Sequence, residues 1–136
     1  MAPERPAITI DEHLRADGSR QITRLAACEG GVRIVIDGEL DAELPFAVLD
    51  QVMARYGKPL AEDIALSGPR LTLANGGALC MLRHRARYDV IARDFLVYVR
   101  AHEPPLVELS TSIAAALAHL ARAVGSNTLV RDDHLQ

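Results

Sequence analysis

The chain has 136 residues, of which 49% are apolar and 24% charged, with a net charge of −3. That composition excludes intrinsic disorder, which needs fewer apolar residues and more unbalanced charge, and it suffices for one domain with its own core. A weakly acidic balance gives no general attraction to nucleic acid or anionic lipid, so neither is expected as a partner.

Lys58 is the only lysine beside fourteen arginines, a bias expected of GC-rich bacterial coding. The two cysteines, Cys28 and Cys80, stand far apart and read as free thiols of a reducing compartment. Residues 1–6 lack the apolar stretch of a signal peptide, and no run approaches the ~20 apolar residues of a membrane span. A cytoplasmic location is the expectation. Residues 1–7 read as a tail, 8–126 as a single domain and 127–136 as a second tail.

In chain order, Ala7–Ile10 is a short strand candidate, and Asp17-Gly18-Ser19 is a turn. Gln21 to Cys28 alternates as a strand, with Ile22 and Leu25 out of phase with each other. Glu29-Gly30-Gly31 reads as the positive-φ turn of a hairpin into Val32–Ile36, which Asp37-Gly38 closes. A helix follows, with Asp41 as its N-cap, Pro45 in its first turn and Gly57-Lys58-Pro59 as its stop. Leu44, Val48, Leu49, Val52 and Tyr56 form its apolar stripe, widened by Phe46 and Met53. The carboxylates Asp37, Glu39, Asp41 and Glu43 would complement the helix dipole.

Ile64–Leu66, Leu71–Leu73 and Ala78–Leu82 read as short strands, with Asn75-Gly76-Gly77 as a hairpin turn. Residues 83–93 fit strand and helix equally. Phe95–Val99 is a strand. The last helix opens either at Pro104-Pro105 or, with Leu106–Leu109 as a separate connector, at Ser110; Gly125 is its predicted end. The order β-rich, helix, β-rich, helix predicts an α+β fold: one mostly antiparallel sheet of about five to seven strands, with two main helices on one face as a two-layer sandwich.

The most unusual local composition is Arg83-His84-Arg85-Ala86-Arg87-Tyr88. As a strand it places Arg83, Arg85 and Arg87 on one face and His84 and Tyr88 on the other, a row of guanidinium forks suited to an anion or an acidic partner. The bland alternative is a solvated strand face. The five histidines, His13, His84, His102, His119 and His134, show no metal-ligand spacing, and no serine sits in a nucleophile elbow. Neither metal nor cofactor is expected. A scattered active site around His84, Tyr88 and Asp89 is the weakest alternative.

The C-terminal helix carries Leu106, Leu109, Ile113, Leu117 and Leu120 among many alanines. It would pack on the chain's own sheet, with room left for a dimer contact. These features favour a non-enzymatic interaction domain, an adaptor, chaperone-like or accessory subunit that pairs with itself or another protein. The alternative is a regulatory domain that holds an anionic small molecule on the arginine strand.

Overall fold

The computed structural model describes residues 6–60, 69–84, 93–100 and 103–135, with the side chains of residues 84 and 125–135 excepted. The predicted strand Ile64–Leu66, together with Arg85, Arg87, Tyr88 and Asp89, lies outside the described residues.

The fold is α+β, with nine strands and two helices among the described residues. Its strands form two antiparallel sheets, where the sequence suggests one. The first sheet is a meander of β1 (Ala7–Leu14), β2 (Arg20–Cys28), β3 (Gly31–Ile36) and β4 (Leu40–Pro45). Helix α1 (Phe46–Tyr56) leads out of it. The second sheet contains β5 (Lys58–Pro59), β6 (Arg70–Thr72), β7 (Ala78–His84), β8 (Arg93–Val99) and β9 (Leu106–Leu109), in the order β5-β9-β8-β7-β6. Helix α2 (Ser110–Leu135) follows directly.

The β4 strand corrects the predicted helix start. Asp41 is no N-cap: it pairs with Val35 in the β3–β4 ladder, and α1 begins after Pro45. Leu40, Ala42 and Leu44 turn toward the core while Asp41, Glu43 and Pro45 are exposed, a period of two that the local helix pattern of Leu44 with Val48 masks. Asp41 instead accepts two bonds from the Arg33 guanidinium, at 2.6 and 2.8 Å. That fork holds its carboxyl below the usual carboxylate range.

The β2–β3 hairpin turns on Glu29–Gly30 as expected, because Cys28 pairs with Gly31. The glycines at positive φ are others, Gly18, Gly38 and Gly76, so Gly31 is needed for space. A Cβ at Gly31 would collide with the Leu44 carbonyl, whereas Gly30 has open space around it. At the C-terminal end, the later of the two predicted starts is the observed one: β9 precedes α2, which opens at Ser110. The helix continues through Gly125 to Leu135, because a single glycine weakens a helix by about 1 kcal/mol without ending it.

One core unites the elements. Ile8, Leu25, Ile34 and Leu44 of the first sheet share one apolar cluster with Leu71, Leu79, Leu96 and Tyr98 of the second, with Leu49, Val52 and Met53 of α1 and with Ile113, Leu117 and Ala121 of α2. The opposite face of β7 and β8 carries a second apolar cluster of Cys80, Leu82 and Val97. Apolar residues on both faces explain why the second sheet reads as runs rather than as clean alternation. Among the described residues, no helix is long and apolar enough to cross a membrane.

Candidate functional site

A bulge in β1 builds the most distinctive surface of the molecule. Thr9 pairs with Arg24 and Asp11 with Thr23, leaving Ile10 as the extra residue between them. Without it, Asp11 would fall on the opposite face from Ile8. With it, Asp11 and His13 come opposite Thr23 and Gln21, on the side of β2 that also carries Leu25. The strand thus changes from apolar to polar on its inner face within one residue.

The alanines of α2 run past this polar patch. Asp11, His13, Gln21 and Thr23 line a cleft of about 270 Å³ with Thr111, Ala114, Ala115 and Ala118. Small side chains on the helix leave this space open. Glu39 and Arg122 also border it, and their side chains meet at 3.5 Å, joining the β3–β4 turn to α2. Asp11 and Thr111 are shared with a neighbouring chamber of about 460 Å³, bounded also by Thr9, Glu12, Arg93, Asp94, Leu109 and Ser110. Together the chambers fall in the size range of small-molecule sites.

Three polar side chains are buried among the described residues: Gln21 at 9%, Thr23 at 5% and Ser110 at 3% exposure. All three line these chambers. None makes a side-chain hydrogen bond with a described residue, so their polar atoms keep access to the cleft; the side-chain atom that is itself fully buried without a partner, among the described residues, is Arg100 Nε. A buried polar group left unpartnered costs about 1–3 kcal/mol, so folds place such groups where a water or a ligand can reach them. Their convergence marks the cleft as the candidate site.

The charges around it are mostly committed. Glu12 takes Arg20 at 2.7 Å, and Asp94 takes Arg83 at 3.0 Å. Asp11 has His13 Nδ1 at 3.8 Å, beyond hydrogen-bond length. Arg93 makes no ion pair among the described residues.

A second polar group is structural. The Tyr98 hydroxyl donates to Asp50 Oδ1 at 2.7 Å and accepts from Asn75 Nδ2 at 3.2 Å, tying β8 to α1 and to the β6–β7 turn. Burial, aided by the bond to Asp50, pushes the Tyr98 hydroxyl up to about 12. The Arg100 guanidinium packs over the Tyr98 ring, 5.8 Å from its centroid, and pairs with Glu103.

The residues singled out from sequence, where they are described, stand on β7, β9 and α2. Arg83 stands on β7, is exposed, and is held by Asp94 through Nε at 3.0 Å. That bond raises its affinity for its proton and occupies the fork that an anion would need. His84 ends β7, while Arg85, Arg87 and Tyr88 lie outside the described residues. Leu106 and Leu109 belong to β9, not to the helix. Ile113 and Leu117 are fully buried in the chain's own core, and Leu120 is partly buried against it. Leu120 also borders a groove of about 310 Å³ between α1 and α2, with Arg55, Tyr56, Ala116 and His119.

Both cysteines are free, Cys80 buried and Cys28 partly so. No group of three or more metal-ligating side chains gathers among the described residues. Compared with known proteins, the chain matches no family model, no curated protein and no solved structure.

Proposed function

We propose that this chain is a small-molecule binding domain of regulatory type, which holds a polar ligand in the cleft between β1–β2 and α2. The observation that carries the reading is the convergence of Gln21, Thr23 and Ser110, buried and without side-chain partners among the described residues, on two adjoining chambers. Amide and hydroxyl groups both donate and accept, so they favour a ligand rich in hydrogen-bonding groups over an apolar one. The cleft is preferred to the arginine strand because its lining is described, whereas of the three arginines Arg83 alone is, and it pairs with Asp94.

In this proposal the domain works in the bacterial cytoplasm, in keeping with its arginine bias and free thiols. Thermal unfolding against a library of polar metabolites tests it. A ligand at 100 times its dissociation constant stabilises the fold by about 2.7 kcal/mol. The shift should vanish in Thr23→Val. A library that leaves the unfolding temperature unmoved would overturn the reading.

A second reading rests on the α1–α2 groove. Tyr56 is 43% exposed there, with Arg55 stacked over its ring at 5.4 Å and half-buried Leu120 opposite. An aromatic and arginine pair beside an apolar floor suits a protein contact. Under this reading the chain is an accessory or chaperone-like subunit, and the partner is a second copy of itself. Native mass spectrometry decides it: a two-chain mass lost in Tyr56→Glu supports the contact, and a one-chain mass removes it.

A further inference from the structure

Resting on the reading of the cleft as a ligand site, we infer that its occupant is a zwitterion of amino-acid size, with its carboxylate at the first turn of α2 and its ammonium at Asp11.

The argument is one of elimination among charges. Among the described residues, four ionisable side chains border the larger chamber: Asp11, Glu12, Arg93 and Asp94. Glu12 and Asp94 are neutralised by Arg20 and Arg83. Asp11, whose ionic neighbour among the described residues is His13 at 3.8 Å, and Arg93, which makes no ion pair among them, remain. The cationic end is reinforced by the start of α2, whose first backbone N–H groups have no helical acceptor and carry the positive end of the helix dipole. A helix start alone would carry no site. Here Ser110, the first residue of that helix, is 3% exposed, lines the chamber and spends its hydroxyl on no described residue.

The two poles exclude the single-charge alternatives. A phosphate or a plain carboxylate at the α2 start would face the Asp11 carboxylate without compensation. A plain amine at Asp11 would face Arg93 and the positive helix end. A molecule with both charges satisfies both poles and leaves the chamber neutral. Beyond Asp11 the second chamber presents Gln21, Thr23 and His13 beside Ile36 and the alanines of α2, with no Phe, Tyr or Trp among its described lining. That lining prefers a ligand side chain with its own hydrogen-bonding groups and offers no platform for a ring.

Isothermal titration of the full chain with each of the twenty standard L-amino acids tests the inference, with propionate, ethylamine and glycerol as one-pole and uncharged controls. At least one amino acid with a polar side chain should bind, and propionate and ethylamine should bind at least ten-fold more weakly. Asp11→Asn should weaken the amino acid ten-fold or more, and so should Arg93→Gln on the exposed rim. Urea midpoints of both variants confirm that they fold. If glycerol or propionate binds, is lost in Thr23→Val, and no amino acid binds, the cleft is a ligand site and the zwitterion is wrong. If no probe binds wild type, the inference falls together with the reading beneath it.

Discussion

Replacing Thr23 by valine removes a hydroxyl that is 5% exposed and makes no side-chain hydrogen bond with a described residue. In a protein whose buried threonine is bonded internally, that change leaves a partner unsatisfied and costs about 1–3 kcal/mol. Among the described residues there is no side-chain partner to lose. The wild-type hydroxyl bears part of its desolvation cost, relieved by whatever water the cleft admits. Valine has nearly the same shape and is favoured in a strand. The net expectation is a change between zero and a gain of about 1 kcal/mol. For a domain of this size a gain of 1 kcal/mol raises the melting temperature by roughly 3–5 °C. The urea midpoint would rise by roughly 0.3–0.6 M at unchanged slope. Equilibrium urea unfolding followed by circular dichroism reads both quantities. A loss of more than about 1 kcal/mol would show that the hydroxyl is satisfied within the fold, and the argument for an open site would fail with it.

The remaining predictions concern the scaffold. Tyr98→Phe should cost about 1–2 kcal/mol, because it leaves Asp50 and Asn75 without their shared partner. The Tyr98 hydroxyl is raised in the folded state, to about 12, above its ordinary value of 10.0. The folded protein therefore holds a proton that the unfolded chain releases first, so stability is full below pH 10 and falls between pH 10 and about 12. Urea midpoints at pH 9 and 11 should show that fall in wild type, and a smaller one in Tyr98→Phe. Gly31→Ala should destabilise by more than about 2 kcal/mol through its clash with the Leu44 carbonyl, while Gly30→Ala, in open space, stays within about 0.5 kcal/mol of wild type. Thermal melts of the pair check this. Asp41→Asn breaks an exposed Arg33 fork and should cost no more than about 1 kcal/mol, diminishing in high salt.

Much of the scaffold is legible in the sequence because its signals are local. The apolar runs of Val32–Ile36 and Phe95–Val99 and the turn glycines Gly38 and Gly76 announce their own elements. Residues 40–45 are misread because Leu44 fits a helix stripe with Val48 and a strand alternation with Leu40 and Ala42 equally well. Only pairing with β3, a contact between distinct strands, decides it. The division into two sheets is non-local for the same reason.

The cleft was harder still. Gln21 and Thr23 look like outward positions of an alternating strand, and nothing local says that α2 will cover that face. The β1 bulge leaves no mark in the sequence, because Ile8-Thr9-Ile10-Asp11 alternates as an unbulged strand would. Of the three arginines that composition singles out, Arg83 finds a carboxylate directly across the sheet, where Asp94 pairs with it on β8, while Arg85 and Arg87 lie outside the described residues.

The most direct test of the cleft is a pair of amide proton–nitrogen correlation spectra of the labelled protein, with and without an equimolar mixture of the twenty L-amino acids. The account predicts shifts concentrated at Asp11, Gln21, Thr23, Ser110 and Thr111, with Tyr56 and Arg83 unmoved. Shifts confined to other surfaces, or none at all, would contradict it.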